Sequence, residues 1–587
     1  MKNRFMAAVA VVAIMTATGV AHAQTADVSL LKQEAAALKK QNEALEQRLN
    51  KLEKQQAAQA QVATAGQPAG PEFLAQAAAN PSTLLTGEGP LTWKGITIFG
   101  TIDAGLGYAS SGLPSSDKLY LGDNLVNKFA HAGYFGISPS NLSQTTLGIK
   151  GSEDLGFFGL SGVFYASTGI NPQSGQLANA PGSVINNNGL NRNSYSNFGD
   201  GSRGGQAFND QLYVGLSSKE FGQLTFGRHK SLTNDLVGAY DPAGGSYAFS
   251  VIGYSGTPVA GLGDTANSRW DDSFKYRVEF PITGGVNGRF GAIYKFADGN
   301  GGSNTGSGTV CPVVGVQPAG CTKSTLGGTY AYSTQNDAGQ LGFGGSYAGL
   351  DIDGVIGYYH QAISTGTPLS AAQLNGAGAF TSNTGLVTNS IGAYNGNTLA
   401  ATVSDNTGFA IGAKYTWNQF KFFAGWSHVI YHNPANNVGL GAQNDQGGYQ
   451  LSTVNNRAFP NAKLLDTFWG GVKYAYDPKT DLVLAYYHEG QNNYGTVANL
   501  QTCSLQGYVS NVNGVTINGT KYAYQAAPRS SACSGTLDGV SGYVDYHFTK
   551  RFDIYAGMMY SVVGGGIASG YFNVNNWAPT AGVRYTF

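Results

Sequence analysis

From Leu91 to the last residue, apolar and polar positions alternate with a period of two, the pattern of strands with one apolar face. In "VSGYVDYHFTKRFDIYAGMMY", Gly542, Val544, Tyr546 and Phe548 share one side and Tyr543, Asp545 and His547 the other. After a turn at Thr549–Arg551 the register resumes with Phe552, Ile554, Ala556, Met558 and Tyr560. "FAIGAKYTWNQFKFFAGWS" and "FWGGVKYAYDPKTDLVLAYYHE" repeat the same hairpin. The pattern predicts sixteen strands, near 93–108, 144–151, 159–168, 208–217, 223–229, 270–280, 288–297, 338–347, 350–360, 407–417, 420–430, 463–476, 481–489, 539–548, 551–561 and 578–587. Their connections alternate strictly between short turns and long loops rich in Gly, Asn and Ser. The final strand, "TAGVRYTF", keeps Ala581, Val583, Tyr585 and Phe587 on one side and runs to the end of the chain.

A different period governs residues 27–56. Leu31, Leu38, Leu45 and Leu52 recur every seven, with Ala35, Asn42 and Leu49 four residues after the first three. This predicts a short coiled coil with one polar residue, Asn42, at an a position. A helix so short is marginal alone, so the pattern implies self-association. Ahead of it, "MKNRFMAAVAVVAIMTATGVAHAQ" has a basic start, an apolar run and an Ala21-His22-Ala23 cleavage site, which reads as a signal peptide. The expected organisation is a signal at 1–23, a coiled coil at 24–60, an Ala/Gln/Pro/Gly-rich linker at 61–90 and a β-domain at 91–587.

Composition then decides the class of β-domain. Charged residues are 12% of the chain, Gly is 85 residues, and 34 Tyr with 29 Phe make 63. Charge is thus about half its usual share. After the first thirty residues no apolar run is long enough for a membrane helix. Low charge, many aromatics and modest hydrophobicity fit a barrel in which only alternate residues face lipid. Eight long loops also do not suit a compact soluble domain. No fixed-period repeat favours a solenoid. The expectation is an all-β membrane protein: a 16-stranded antiparallel transmembrane β-barrel preceded by a short coiled coil. Loss of Lys2 and Arg4 with the signal takes 34 basic residues to 32 against 34 acidic, net −2, which argues against a polyanion-binding protein. The four cysteines pair by nearness as Cys311–Cys321 and Cys503–Cys533, each inside one outer loop, and their spacing does not suit zinc.

Several stretches resemble the trimeric general porins of Gram-negative bacteria. "TTLGIKGSEDLGFFGLSGVFYAS" is similar to that family's second and third strands, and "QLYVGLSSKEFGQLTFGRHKSL" to the strand pair before the loop that folds into the pore. "LTWKGITIFGTIDAGLGY" and the closing "GVRYTF" also match. The inward loop of the family often carries Pro-Glu-Phe-Gly-Gly; here the nearest stretch is "DPAGG", Asp241–Gly245, with the acid shifted. The coiled coil lies outside the common pattern and resembles the periplasmic extension of some sugar-specific porins and of envelope-spanning outer-membrane proteins.

The resemblance implies a water-filled channel for small hydrophilic solutes and ions, a homotrimer set in outer-membrane lipid and lipopolysaccharide, and recognition of Phe587 by the barrel-assembly machinery. It implies no cofactor, no metal and no nucleic-acid partner. The coiled coil would stand in the periplasm, within reach of peptidoglycan. The resemblance also implies a constriction in which wall bases face loop acids. Carried over, Lys150 and Arg228 are the bases with Lys230 nearby, and Asp235, Asp241 and Asp264 are the acids. Lys150 lies in the polar phase of its strand. Arg228 falls in phase with Leu224 and Phe226, so an inward position requires a bulge at Gly227. The alternative for each base is a rim charge, and for each acid a solvated loop charge. Enzyme motifs such as G-x-S-x-G and H-E-x-x-H are absent, and His488-Glu489 and Asp545/His547 lie on alternating strands. Two rival functions are a substrate-specific channel, for sugars for example, and an adhesion or envelope-linking protein anchored by the barrel. An aromatic ladder along the lumen would favour the first; Tyr487, Tyr543 and Tyr555 are inward-phase aromatics.

Overall fold

The computed structural model describes residues 91–587 apart from stretches of the long loops. Those stretches are 115–129 except Val126, most of 171–206, 254–256, 264–267, 297–330, 336, 366–393, 396–397, most of 434–458, most of 496–531, 569–570 and 572. The expected signal peptide, coiled coil and linker lie outside the described residues, as do Asp264, Cys311, Cys321 and Cys503.

Alternation produces a barrel because each strand needs lipid on one side and water or protein on the other. The strands are β1 (Ile96–Pro114), β2 in two segments (Ala130–Pro139 and Thr146–Asp154), β3 (Leu160–Gly169), β4 (Gln211–Ser218), β5 (Gly222–Lys230) and β6 (Arg269–Ile282). They continue as β7 (Val286–Lys295), β8 (Ala338–Tyr347), β9 (Leu350–Thr365), β10 (Thr398–Trp417) and β11 (Phe420–Tyr431). The last five are β12 (Lys463–Asp477), β13 (Thr480–Gln491), β14 (Gly535–His547), β15 (Phe552–Gly565) and β16 (Asn575–Thr586). Each pairs antiparallel with the next, and β16 returns to β1 through Thr101↔Thr586 to Gly107↔Thr580. The main sheet has 20 hydrogen-bonded segments. Joining the two of β2 and setting aside the short flaps Leu91–Trp93, Ala331–Gln335 and Tyr394–Asn395 leaves the sixteen expected spanning strands.

Closure explains the uninterrupted C-terminus. Phe587 exchanges both backbone bonds with Gly100, each 3.0 Å, so the chain ends on a paired residue. An open edge would leave N–H and C=O groups in lipid at several kcal/mol each. Ile96, Ile98, Ile102 and Leu106 of β1 and Leu482, Leu484 and Tyr486 of β13 are exposed on the outside, where lipid covers them.

Several strands run past their expected bounds, as β10 does by starting at Thr398, and β2 departs furthest. β2 begins at Ala130, well before the expected 144, and pairs with β1 on both sides of a break. Residues 140–145 form the break and fold inward. The Asp103 carboxylate accepts the Leu142 and Ser143 N–H groups at 2.8 and 3.0 Å, which satisfies the backbone that left the ladder. Gly and Ser around the break obscured the period of two.

The candidate pore constriction

The third long loop, residues 231–268, leaves β5 and enters β6. It does not project away from the barrel; most of its described side chains are buried against the inner wall. At its neck the Asp210 carboxylate meets Lys230 at 3.2 Å and Arg269 at 2.8 Å, and Ser167 donates to it at 2.8 Å. Burial alone would raise the Asp210 pKa, but these two bases and the hydroxyl hold it well below the usual carboxylate range.

Beyond the neck runs helix α1 (Leu232–Tyr240), capped by Ser231, whose Oγ accepts from the Asn234 N–H at 3.1 Å. Leu232, Leu236, Val237 and Tyr240 form its buried face. Leu232 packs over Gly291 of β7 and Gly342 of β8. Gln340 of β8 exchanges bonds with Thr233 at 3.2 and 3.0 Å. Tyr240 Oη donates to Asp353 at 2.7 Å and Asp351 at 3.1 Å on β9. Trp469 of β12 donates its indole N–H to the Tyr240 carbonyl at 3.0 Å. The close approach needs bare backbone: a Cβ on Gly412 would lie 2.6 Å from Tyr240, and one on Gly471 2.6 Å from Pro242.

The tip continues across β13, β14 and β15. Tyr487 donates to Asp241 at 2.6 Å, and the Gly245 N–H donates to the same carboxylate at 2.7 Å. Burial pushes the Asp241 pKa up. Phe249 stacks on Tyr543 with centroids 4.6 Å apart, and its carbonyl accepts from Ser541 at 2.6 Å. The Asn141 carbonyl in the β2 break accepts from Ser246 Oγ, Tyr247 N–H and Ala248 N–H at 2.7, 2.8 and 3.0 Å. Asn141 in turn donates to Tyr555 at 2.8 Å. The inward-phase tyrosines Tyr487, Tyr543 and Tyr555 are therefore covered by the loop and its dock. They anchor it and form no ladder along open lumen.

The inner faces of β1 to β6 carry a different set of residues. Lys150 is exposed there, with Nζ 5.5 Å from the centre of the Phe99 ring, and no carboxylate among the described residues bridges it. Rings from β1, β3, β4 and β5 line up beside it: Phe99 to Tyr165 at 4.9 Å, Tyr165 to Tyr213 at 5.2 Å and Tyr213 to His229 at 4.9 Å. Asp235 reaches across from α1 to Lys275 at 2.5 Å and to Arg277. The wall thus offers six bases, Lys150, Arg228, Lys230, Arg269, Lys275 and Arg277, against the three carboxylates that bridge to them, Asp210, Asp235 and Asp271.

The expected site residues divide accordingly. Lys150, Lys230 and Asp235 lie at this wall. Arg228 does follow a bulge: Gly227 has φ +134° and the β5–β6 register shifts between Gly227 and His229. Its guanidinium, however, is buried, donating to the Asn209 carbonyl at 2.9 and 2.7 Å and to Asp271 at 2.6 Å. Asp241 turns to Tyr487 and does not face Lys150 or Arg228. Lys275 and Arg277 were not singled out in the sequence, although the alternation of 270–280 puts both in the polar phase. Cys533 is buried and disulfide-bonded, to a partner outside the described residues. Near the short-turn end, Asp545, His547 and Asp553 lie within 4.8 Å of one another. Both ring nitrogens of His547 are engaged, by Asp553 at 2.7 Å and Asp481 at 3.0 Å, and Arg584 bridges Asp545 and Asp553, so the group reads as an ion-pair network.

The family model for Gram-negative porins matches residues 56–566. The chain belongs to the Gram-negative porin family. An outer-membrane porin protein of Bordetella pertussis is 27% identical over 202 residues, 34% of this chain and 43% of the relative, so the match spans less than half of that relative. An anion-selective porin from Comamonas acidovorans aligns at 14% identity, TM-score 0.44, over 84% of this chain and 99% of its own. An outer-membrane channel of Acinetobacter baumannii aligns at 11% identity, TM-score 0.43, over 84% and 97%. Likenesses this distant say nothing about what passes through this pore. Family membership places the chain in the outer membrane of a Gram-negative bacterium.

Proposed function

We propose that this porin forms a water-filled channel for passive diffusion of small hydrophilic solutes, narrowed between the third loop and the inner faces of β1 to β6. The observation that carries this reading is the course of the loop, which docks on strands from β8 to β14 and reaches the opposite wall through Asp235 and through Asn141, with Lys150 left exposed there. The exposed and unbridged Lys150, with Lys230 and Arg277 nearby, gives a field across a low-dielectric opening that favours anions. The test is the reversal potential of single channels in a salt gradient: anion preference is expected, and cation preference would contradict it.

One observation supports a second reading, a channel with some preference for ring-bearing solutes such as sugars. Phe99, Tyr165 and Tyr213 form a half-exposed aromatic row on the open wall. Saturable block of the ion current by maltooligosaccharides, lost in Tyr165→Ala, would favour it.

The assembly is a homotrimer in this proposal, with residues 1–23 removed, 24–60 trimerising as a periplasmic coiled coil, 61–90 as linker and 91–587 as barrel. Phe587 serves the assembly machinery, and Cys311–Cys321 and Cys503–Cys533 close outer loops. A Cys placed at Leu38 should cross-link between protomers and stay inaccessible to an impermeant reagent on whole cells.

A further inference from the structure

The ion-pair network near the short-turn end has one acceptor that its own bonds do not use. Asp545 and His547 of β14 and Asp553 of β15 face the lumen, in phase with Tyr543 and Tyr555. In the ladder His547 lies opposite Asp553, Asp553 opposite Arg584 of β16, and Asp545 opposite Asp481 of β13. One ligand atom from each of Asp545, His547 and Asp553 lies within 4.8 Å of the other two. Arg584 takes the Oδ2 atoms, meeting Asp545 at 3.0 Å and Asp553 at 2.7 Å. Oδ1 of Asp553 faces His547 Nδ1 at 2.7 Å. Oδ1 of Asp545 has no hydrogen-bond partner, although the residue is only 5% exposed. A buried acceptor without a donor is costly, more so on a charged group.

We propose that Asp545, His547 and Asp553 bind a divalent transition-metal ion of the zinc class. The donor set fits: one imidazole nitrogen with two carboxylate oxygens suits zinc, whereas magnesium and calcium take oxygen ligands. The ion replaces the contact between His547 Nδ1 and Asp553 and gives Asp545 Oδ1 its partner, while Arg584 keeps the Oδ2 atoms. The other ring nitrogen is already placed for this role. His547 Nε2 lies 3.0 Å from Asp481 Oδ2, and Lys473 holds Asp481 at 2.6 Å. A ligating histidine usually donates its second N–H to a carboxylate, which fixes the tautomer that offers a lone pair to the metal. Charge agrees. With His547 neutral, Asp481, Asp545, Asp553 and Asp103, which lies opposite Arg584, carry four negative charges against two positive on Arg584 and Lys473. The net −2 is what one divalent ion neutralises. The His547 side chain is 33% exposed, so the ion enters from the water of the lumen.

The test is calorimetric titration of zinc chloride into the full-length, tag-free protein in detergent, stripped beforehand with a chelator. Wild type should bind one ion per chain in the micromolar range. Asp545→Asn and His547→Ala should each abolish that binding. Asp481→Asn removes only the acceptor behind the imidazole and should weaken it by about 10- to 100-fold. His428→Gln, whose histidine lies on β11 outside the trio, should bind as wild type does. Circular dichroism of the barrel checks that each variant is folded. Wild-type protein that takes up no zinc at millimolar concentration would overturn the proposal, as would equal binding by wild type and Asp545→Asn. If the variants do not fold, anomalous scattering at the zinc edge from wild-type crystals decides. A peak among Asp545, His547 and Asp553 supports the site, and no peak there overturns it.

Discussion

Lys150 and Arg228 sit on the same wall in the same kind of strand, yet the structure assigns them different electrostatic weight. Lys150 is exposed and unbridged, so its full charge acts on the passage. Arg228 is buried and its charge is offset by Asp271 at 2.6 Å. Lys150→Ala should therefore shift the reversal potential towards cations, and Arg228→Ala should shift it far less. The cost of Arg228→Ala should appear as stability instead, about 1–3 kcal/mol, because its buried charged hydrogen bonds to Asp271 and to the Asn209 carbonyl are lost; the temperature at which the barrel unfolds in detergent measures it. The inward phase of Lys150 was legible from the alternation of its strand. Arg228 was legible as a base that needs a bulge, but its partners Asp271 and Asn209 come from neighbouring strands, and no local pattern reports them. Asp241 was misjudged for a related reason: its sequence context resembles an exposed loop tip, while its burial depends on Tyr487, 246 residues away.

At the level of elements, the third loop is fixed at two ends by different means, and each can be loosened separately. Its neck depends on Asp210, whose depressed pKa gives a stabilisation fully present above the ordinary carboxyl value of 3.8 and lost progressively as pH falls below it. Current through the open channel should thus be quiet at neutral pH and become noisy below about pH 3.8. Asp210→Asn should be noisy at neutral pH. Its tip depends on Asp241 and its donors. Tyr487→Phe removes one of them at about 1–3 kcal/mol, and faster proteolysis within 239–250 should report the loosened tip. The strands themselves were almost fully legible, because lipid on one side enforces the alternation over each span. The start of β2 was not, since its inward break replaces alternation by side-chain capping from Asp103. The course of the third loop was not legible from its residues either. Its apolar positions fit the wall only once Gly412 and Gly471 have vacated the space for Tyr240 and Pro242.

For the molecule as a whole, closure and constriction have separate sources. β16 completes the cylinder through its ladder to β1, with Phe587 paired to Gly100, while the proposed constriction comes from one loop that the cylinder encloses. Removing that loop's tip should leave the barrel intact and change only what passes through. The direct measurement is single-channel conductance in planar bilayers for the wild-type protein and for a variant lacking Ala239–Ser250, which takes away Tyr240, Asp241 and Phe249 together. A higher conductance with weaker anion preference is the predicted result. Conductance and selectivity that both remain at the wild-type values, in a barrel that still assembles, would contradict a constriction formed by the third loop.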